Sequence, residues 1–260
     1  MNWQEISGNW VVIPRNPSGV IHFLGGAFVA TVPHVSYRCL LEDLAQQGYA
    51  VIATPFFNTF DHFAIARNVL NGFENTLTRL RQKRLLPSGY LPIYGLGHSM
   101  GCKLHLLIGS LFDVKRDGNI LISFNNYPLE QSIPFADQLQ LTPTFKLEFT
   151  PSPQEMLEIV GQDYQIRRNL LIQFHKDDLD QTADLDFTLK QRFPNLIAYQ
   201  KIAGTHLTPV SQELNWKAGD IFTPLDAVGQ WVKQQWNPQG NNDFKHLQSE
   251  ILRWLNPLMV

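Results

Sequence analysis

The sequence alternates short apolar, β-branched runs with segments of helical periodicity over its first two-thirds. Strands separated by helices form βαβ units, and repeated units build a mainly parallel sheet covered by helices. The runs that predict strands are residues 10–13, 20–24, 49–53, 91–96, 119–124, 170–174 and 196–201. The segments that predict the main helices are residues 37–47, 61–84, 100–112 and 182–193. We therefore predict an α/β fold.

The length and composition favour one domain with insertions. A chain of 260 residues with 44% apolar residues can bury a sizeable core, so we predict a single α/β domain over residues 1–260. Residues 125–168 contain five prolines and scattered apolar residues, and this segment is too long for a plain crossover and too apolar for a linker. We predict an inserted cap there, with a short helix at 154–159. We predict that residues 207–242 form an irregular C-terminal excursion, and that the irregular stretch after His206 leads into helices near 226–235 and 243–255.

Charge and cysteine content exclude several classes of protein. A net charge of −2 without a long basic run gives no basis for nucleic-acid binding. Cys39 and Cys102 are the only cysteines, so we expect neither a disulfide framework nor a cysteine-based zinc site. We expect the protein to reside in a reducing compartment. No signal-peptide pattern and no run of 18 apolar residues is present, which predicts a soluble, cytoplasmic protein. The oligomeric state and peripheral membrane contact stay open.

The segment "GLGHSMG" lies where a predicted strand gives way to a predicted helix, and it places Ser99 between Gly97 and Gly101. A serine at such a junction is commonly an N-cap. Glycines two residues on either side are needed when the central residue has a strained backbone and presents its side chain above a parallel sheet. The pattern therefore predicts a nucleophile elbow around Ser99, with a simple N-cap as the alternative.

A serine nucleophile needs a base and an acid, which in such folds follow later strands in the order acid, then histidine. The loop "HKDDLDQT" after residues 170–174 offers Asp177, Asp178 and Asp180, and "AGTHLTP" after residues 196–201 offers His206. An aspartate pair after a strand is also a common helix N-cap, and a loop histidine is often only a surface residue. Together, however, the three groups occur in the order that a triad requires.

The segment "VIHFLGGAFVA" supplies the second half of an oxyanion hole. One backbone N–H would come from Met100, the residue after the serine, and the other from Ala27 or Phe28, which follow a glycine pair. The glycine pair serving only a tight turn is the alternative. The sequence has no phosphate-binding loop, no His-Glu-x-x-His zinc motif and no dinucleotide fingerprint, so we expect no metal and no cofactor.

These motifs resemble the α/β-hydrolase superfamily. The chain as a whole resembles a narrower group within it, found in cyanobacteria and plant plastids and known only as a domain of unknown function. The segments that carry this resemblance are "GLGHSMGCKLHLLIGSLF", "GNILISFNNYP", "LEFTPSPQE", "RNLLIQF", "GTHLTPV" and "FTPLDAVGQW". In the predicted α/β-hydrolase fold, the inserted cap lies between the sixth and seventh strands. The resemblance also implies a stromal location if the protein comes from a plant.

The superfamily resemblance implies Ser99 as nucleophile, His206 as base and an aspartate after the penultimate strand as the group that orients the histidine. In the superfamily pattern Gly-x-x-Asp, that aspartate corresponds to Asp178, although His175 stands where the glycine is usual. Asp180 is the main rival and Asp177 follows it.

The predicted reaction is hydrolysis of an ester or thioester of a hydrophobic acyl group, acting on a small-molecule or lipid-like substrate. The predicted substrate-binding residues are Phe23, Phe28, Phe56, Phe57, His98 and Tyr127, with Phe135, Phe145 and Phe149 as further aromatic residues of the cap. Taken singly, each aromatic residue is more often part of a core. An acyltransferase with the same triad and an inert binding or assembly module are the alternatives.

Overall fold

The computed structural model describes residues 1–27, 29–128, 148–210 and 240–256. Its described residues contain one eight-stranded sheet with the order β1-β2-β4-β3-β5-β6-β7-β8. The strands are β1 (Gln4–Ile6), β2 (Asn9–Val12), β3 (Gly19–Leu24), β4 (Tyr49–Ala53), β5 (Ile93–His98), β6 (Gly118–Ile122), β7 (Asn169–Lys176) and β8 (Ile197–Thr205). Strands β1 and β2 pair antiparallel and β2 pairs antiparallel with β4, whereas the strands from β4 to β8 all pair parallel. The predicted mainly parallel sheet is confirmed.

Helices cover both faces of the sheet. They are α1 (Pro33–Ser36), α2 (Arg38–Gln46), α3 (His62–Gln82), α4 (Met100–Leu111), α5 (Pro153–Asp163), α6 (Thr182–Arg192) and α7 (Gly240–Leu255). Helices α2 and α7 share one apolar core with the sheet, and α3, α4, α5 and α6 pack on the other face. Strands β3, β4 and β6 are buried at every position, as expected for parallel strands covered on both sides.

The main elements agree with the sequence predictions to within a few residues, with differences at the ends that matter for the site. Strands β7 and β8 continue beyond their predicted ends, to Lys176 and Thr205, and β5 runs on to His98. The sequence did not predict β1 or α1, which are only three and four residues long. The predicted helix at 226–235 lies outside the described residues.

The predicted cap at 125–168 stays a prediction, because residues 129–147 lie outside the described residues. The short helix expected at 154–159 is the longer α5, which begins with a capping box between Ser152 and Glu155. Helix α5 packs against α4 and α6, so it occupies the position of the crossover helix between β6 and β7. Where the structure is described, no helix combines the length and the hydropathy needed to cross a membrane.

Candidate active site

Ser99 lies at the sharp turn between β5 and α4. Its backbone has φ 54° and ψ −118°, in the left-handed half of the Ramachandran map, where a residue with a side chain is strained. The turn is held by a hydrogen bond from the Ser99 N–H to Ile122 O at 2.9 Å and by one from the Cys102 N–H to Ser99 O at 3.0 Å. Ser99 makes no side-chain cap to α4, so the structure favours the elbow over the N-cap.

The two flanking glycines are required by close backbone contacts. A Cβ atom at Gly97 would lie 2.6 Å from Cys102 N, and one at Gly101 would lie 2.0 Å from Leu24 O. Both distances are far below van der Waals contact, and the obstructing atoms belong to the backbone, which cannot rotate away. The spacing Gly-x-Ser-x-Gly is therefore explained by close packing within the turn and of the turn against the end of β3.

Gly101→Ala should destabilise the fold by about 3 kcal/mol or more, because the new methyl group would overlap the Leu24 carbonyl. Chemical denaturation followed by circular dichroism measures this change. Gly89→Ala is the matched control, since a Cβ at Gly89 meets nothing within 4 Å. Equal stabilities for the two variants would show that the elbow does not pack as described.

His206 and Asp177 meet at the carboxyl ends of β7 and β8. Lys176 pairs with Thr205 in the parallel ladder, so the next residue of each strand emerges beside the other. His206 Nδ1 lies 3.1 Å from Asp177 Oδ1 and 2.9 Å from Oδ2. The Nδ1–H therefore donates to the carboxylate, which leaves the lone pair of the imidazole on Nε2.

The Asp177 carboxylate is fully buried and held in its charged form. Burial by itself raises the pKa of Asp177, but the hydrogen bond and charge of His206, with the Leu179 N–H at 3.1 Å, outweigh burial and lower that pKa below its ordinary value. An ionised carboxylate at Nδ1 fixes one tautomer of the imidazole.

The two aspartates that ranked first in the sequence analysis lie elsewhere. Asp178 is exposed, and Asp180 Oδ1 accepts from the Thr182 N–H at 2.6 Å at the start of α6. Burial raises the pKa of Asp180 to about 6. The structure thus brings Asp177 to His206, whereas Asp180 bonds to the first N–H of α6, beside the N-cap residue Gln181, which makes no side-chain cap.

The loop after β3 approaches the elbow, as the oxyanion-hole prediction requires. A Cβ at Gly26 would lie 3.4 Å from Ser99 Cβ, so the backbone of this loop passes directly beside the serine. Ala27 and Met100 both line the cleft that contains Ser99. Met100 is the first residue of α4, so its N–H has no acceptor within the helix. Phe28, the other predicted donor, lies outside the described residues.

His98 connects the loop after β3 to the loop of His206. The Gly26 N–H donates to Tyr37 Oη at 2.8 Å, and Tyr37 Oη lies 2.8 Å from His98 Nδ1. His98 Nε2 lies 2.9 Å from His206 O, which can only accept. His98 Nε2 therefore carries the hydrogen, and the Tyr37 hydroxyl donates to Nδ1. Burial, and then the charge of His206, lower the pKa of His98 to about 3, so this ring stays neutral.

Ser99 and His206 line the same cleft, which opens to solvent. One wall is apolar and includes Val29, Leu179, Leu207 and Val210. The predicted substrate residues His98 and Tyr127 line this cleft, and so does Phe149.

Three predicted substrate residues do not line the cleft. Phe23 and Phe56 are buried within the two cores, and Phe57 is 78% exposed. They follow or end strands at the correct edge of the sheet, but side-chain direction takes them into the core or to solvent. Phe135 and Phe145 lie outside the described residues.

The cleft also has a polar end that the sequence analysis did not identify. Lys103 and His62 line it, and each side chain is 2% exposed. Burial lowers the pKa of Lys103 to about 8, and burial with the nearby Lys103 charge lowers that of His62 to about 3. The available signal was a lysine in the otherwise apolar or neutral helix "MGCKLHLLIGSL". The part of the chain that the structure describes contains no group of three or more His, Cys, Asp or Glu side chains placed to hold a metal ion.

A protein-family model described as "Protein of unknown function (DUF1350)" matches residues 2–257. No curated protein matches the sequence. Among solved structures, carboxyl esterase 2 (TmelEST2) from the mycorrhizal fungus Tuber melanosporum is 19% identical, with a TM-score of 0.55 over 88% of this chain and 82% of that chain.

Two further solved structures are similar to this chain in fold. Fluorophosphonate-binding serine hydrolase F (FphF) from Staphylococcus aureus is 14% identical, with a TM-score of 0.54 over 88% of this chain and 92% of that chain. TT1662 from Thermus thermophilus is 16% identical, with a TM-score of 0.51 over 90% and 97% of the two chains. These likenesses confirm the α/β-hydrolase fold.

Proposed function

The chain belongs to the DUF1350 family of proteins of unknown function, and we propose that it is a serine hydrolase that cleaves an acyl ester or thioester. One observation carries this proposal: a strained elbow serine shares a cleft with a histidine whose Nδ1 is bonded to a buried carboxylate. In an α/β-hydrolase fold this combination supplies a nucleophile, a base and an orienting acid at one edge of the sheet.

In the proposed reaction, Ser99 Oγ attacks the acyl carbonyl while His206 Nε2 takes the hydroxyl proton. The Asp177 carboxylate keeps the imidazole in the required tautomer and stabilises the imidazolium that forms. The N–H groups of Met100 and of Ala27 donate to the oxyanion of the tetrahedral intermediate, an interaction worth about 2.7–4 kcal/mol per donor in such sites. His206 then protonates the leaving group, and water attacks the acyl-enzyme by the same route.

The apolar wall of the cleft supports a substrate with a hydrocarbon segment next to the scissile bond. The direct test is turnover of p-nitrophenyl esters of increasing chain length, and of matching thioesters, with product analysis in the presence of an added alcohol. We expect free acid as the product and faster turnover of medium chains than of acetate. Exclusive formation of the new ester would assign an acyltransferase, and no turnover of any member would contradict the proposal.

Tyr37→Phe should reduce both stability and rate, because it leaves the Gly26 N–H and His98 Nδ1 without their shared partner. We expect a loss of about 1–3 kcal/mol in unfolding free energy and a fall in kcat of about tenfold through displacement of the His206 loop. Denaturation and steady-state kinetics measure the two effects.

Tyr90→Phe is the control for Tyr37→Phe, since Tyr90 is 82% exposed and its hydroxyl donates to the surface residue Asp117. A Tyr37→Phe protein that loses stability but keeps the wild-type kcat would show that the Tyr37 and His98 chain is structural and does not position His206.

A further inference from the structure

Lys103 lies in the cleft, and among the described residues it has no anionic partner. It follows Ser99 by four residues, so it occupies the same face of α4 one turn further along. Its Nζ is 3.4 Å from Pro151 O and 5.6 Å from the centre of the Phe149 ring. Within the described ranges, no aspartate or glutamate forms an ion pair with Lys103. An ammonium has three hydrogens, and one long bond to a neutral carbonyl satisfies little of that capacity.

His62 stands beside Lys103 with unused hydrogen-bonding capacity. Both ring nitrogens of His62 are buried, and neither has a hydrogen-bond partner within the described structure. The ring packs against Phe149 with 4.4 Å between centroids, which fixes its plane. A neutral imidazole carries one N–H, so His62 can donate one hydrogen bond to a group that enters the cleft next to Lys103.

Packing alone gives no reason for this pair. A buried charge without a partner is costly, and buried polar groups in native proteins are nearly always hydrogen-bonded. The neighbouring positions Leu104, Leu106 and Leu107 of α4 are apolar and fully buried. A cation and an unsatisfied ring that line a cleft beside a nucleophile are therefore features of a binding site.

We propose that Lys103, with His62, binds an anionic oxygen group, of the carboxylate class, on the substrate that Ser99 attacks. This inference rests on the proposed hydrolase function and narrows its substrate class. The substrate then has two parts, a hydrocarbon segment against Val29, Leu207 and Val210 and a charged group at the Lys103 end. The charge is carried by the acyl group or by the leaving group, and separate substrates distinguish these two arrangements.

The test compares substrates that differ only in charge. For the acyl side, the pair is the mono-p-nitrophenyl ester of adipic acid and the p-nitrophenyl ester of isooctanoic acid, in which two methyl groups replace the carboxylate oxygens. For the leaving-group side, the pair is the hexanoyl thioester of mercaptopropionic acid and the same thioester with its carboxyl group methylated. We expect the wild-type protein to prefer the charged member of at least one pair in kcat/KM.

Lys103→Met should raise KM for that charged member by about 10- to 100-fold, the value of a hydrogen bond to a charged group, and leave its neutral partner nearly unchanged. Lys103→Arg should restore part of the preference. Lys115→Met is the matched control, because Lys115 is exposed. Equal losses for the charged and neutral members in Lys103→Met would make the lysine a structural residue and overturn the inference.

The pH dependence gives a test that needs no variant. Lys103 has a pKa of about 8, so the preference for the charged substrate should fall as the pH rises through 8. Among the residues that the structure describes, the other titratable groups lining the cleft are His62, His98, His206 and Tyr127. On neighbouring elements, Asp61 and Glu155 bond to backbone N–H groups of their own helix starts. The ratio of kcat/KM for the charged member to kcat/KM for the neutral member of a pair cancels titrations that affect both substrates equally.

A ratio that stays constant between pH 6 and 10, or no wild-type preference in either pair, would contradict the anion site while leaving the hydrolase proposal intact. The failure of the hydrolase proposal is distinguishable, because neither charged nor neutral substrates would then be cleaved.

Discussion

Ser99→Ala should lower kcat/KM for any ester substrate by about 10⁵-fold or more, since removing the nucleophile of a serine triad leaves only the oxyanion hole and substrate binding. The variant should fold normally and keep wild-type substrate affinity, because alanine tolerates the same contacts and removes only the hydroxyl. Initial-rate kinetics with a p-nitrophenyl ester, and ligand-dependent thermal shifts for binding, measure the two properties.

Ser110→Ala is the matched control for this experiment. Ser110 is also a buried serine of α4, and its hydroxyl donates to Leu106 O at 2.9 Å within the helix. Its removal should cost some stability and leave kcat/KM unchanged. A Ser99→Ala protein that retained more than about a tenth of the wild-type rate would exclude Ser99 as the nucleophile.

Asp177→Asn should lower kcat by about 10⁴-fold, because an amide next to His206 Nδ1 favours the wrong tautomer of the imidazole. Replacement by asparagine preserves the size of the side chain, so the effect reports the lost charge and the changed tautomer and not a cavity. Steady-state kinetics compare kcat of Asp177→Asn with that of the wild type. The measurement is made at pH 7 and above, where the lowered pKa of Asp177 keeps the wild-type carboxylate ionised.

The neighbouring aspartates provide internal controls for Asp177→Asn. Asp178→Asn should retain the wild-type rate because Asp178 is exposed, and Asp180→Asn should retain most of it because Asp180 bonds to Thr182 N. If Asp178→Asn or Asp180→Asn caused the larger loss, the arrangement of the acid loop described above would be incorrect.

The elbow could be predicted from sequence because its signal is local. Gly97, Ser99 and Gly101 stand at fixed spacing, and the atoms that exclude a Cβ at the glycines belong to the turn and to the adjoining end of β3. The mainly parallel sheet and the position of His206 after a late strand follow from the alternation of strands and helices along the chain.

The acid of the proposed triad could not be placed by counting from a predicted strand end. Strand β7 extends two residues beyond Phe174, and its register with β8 is irregular between Phe174 and Lys176. One residue of difference reverses the side to which a side chain points. The pairing of Lys176 with Thr205 places Asp177 beside His206. This pairing depends on contacts between two strands, and the sequence does not show those contacts.

The prediction that Phe23, Phe56 and Phe57 line the substrate cleft was wrong for a different reason. An aromatic residue near a strand end has the same sequence signature whether it enters the core, as Phe23 does, or faces solvent, as Phe57 does. Lys103 lines the cleft, although the sequence analysis did not single it out. Its charge in an apolar helix is visible in the sequence, but its burial depends on tertiary packing.

The most direct measurement is covalent labelling of the native protein by a fluorophosphonate, followed by peptide mass spectrometry. An activated serine forms a phosphonyl ester that inactive serines do not form under the same conditions. We expect one adduct per chain, located on Ser99, and loss of labelling in Ser99→Ala and in His206→Ala. Absence of an adduct on Ser99 in the folded protein, or undiminished labelling of that residue in His206→Ala, would contradict a histidine-activated serine.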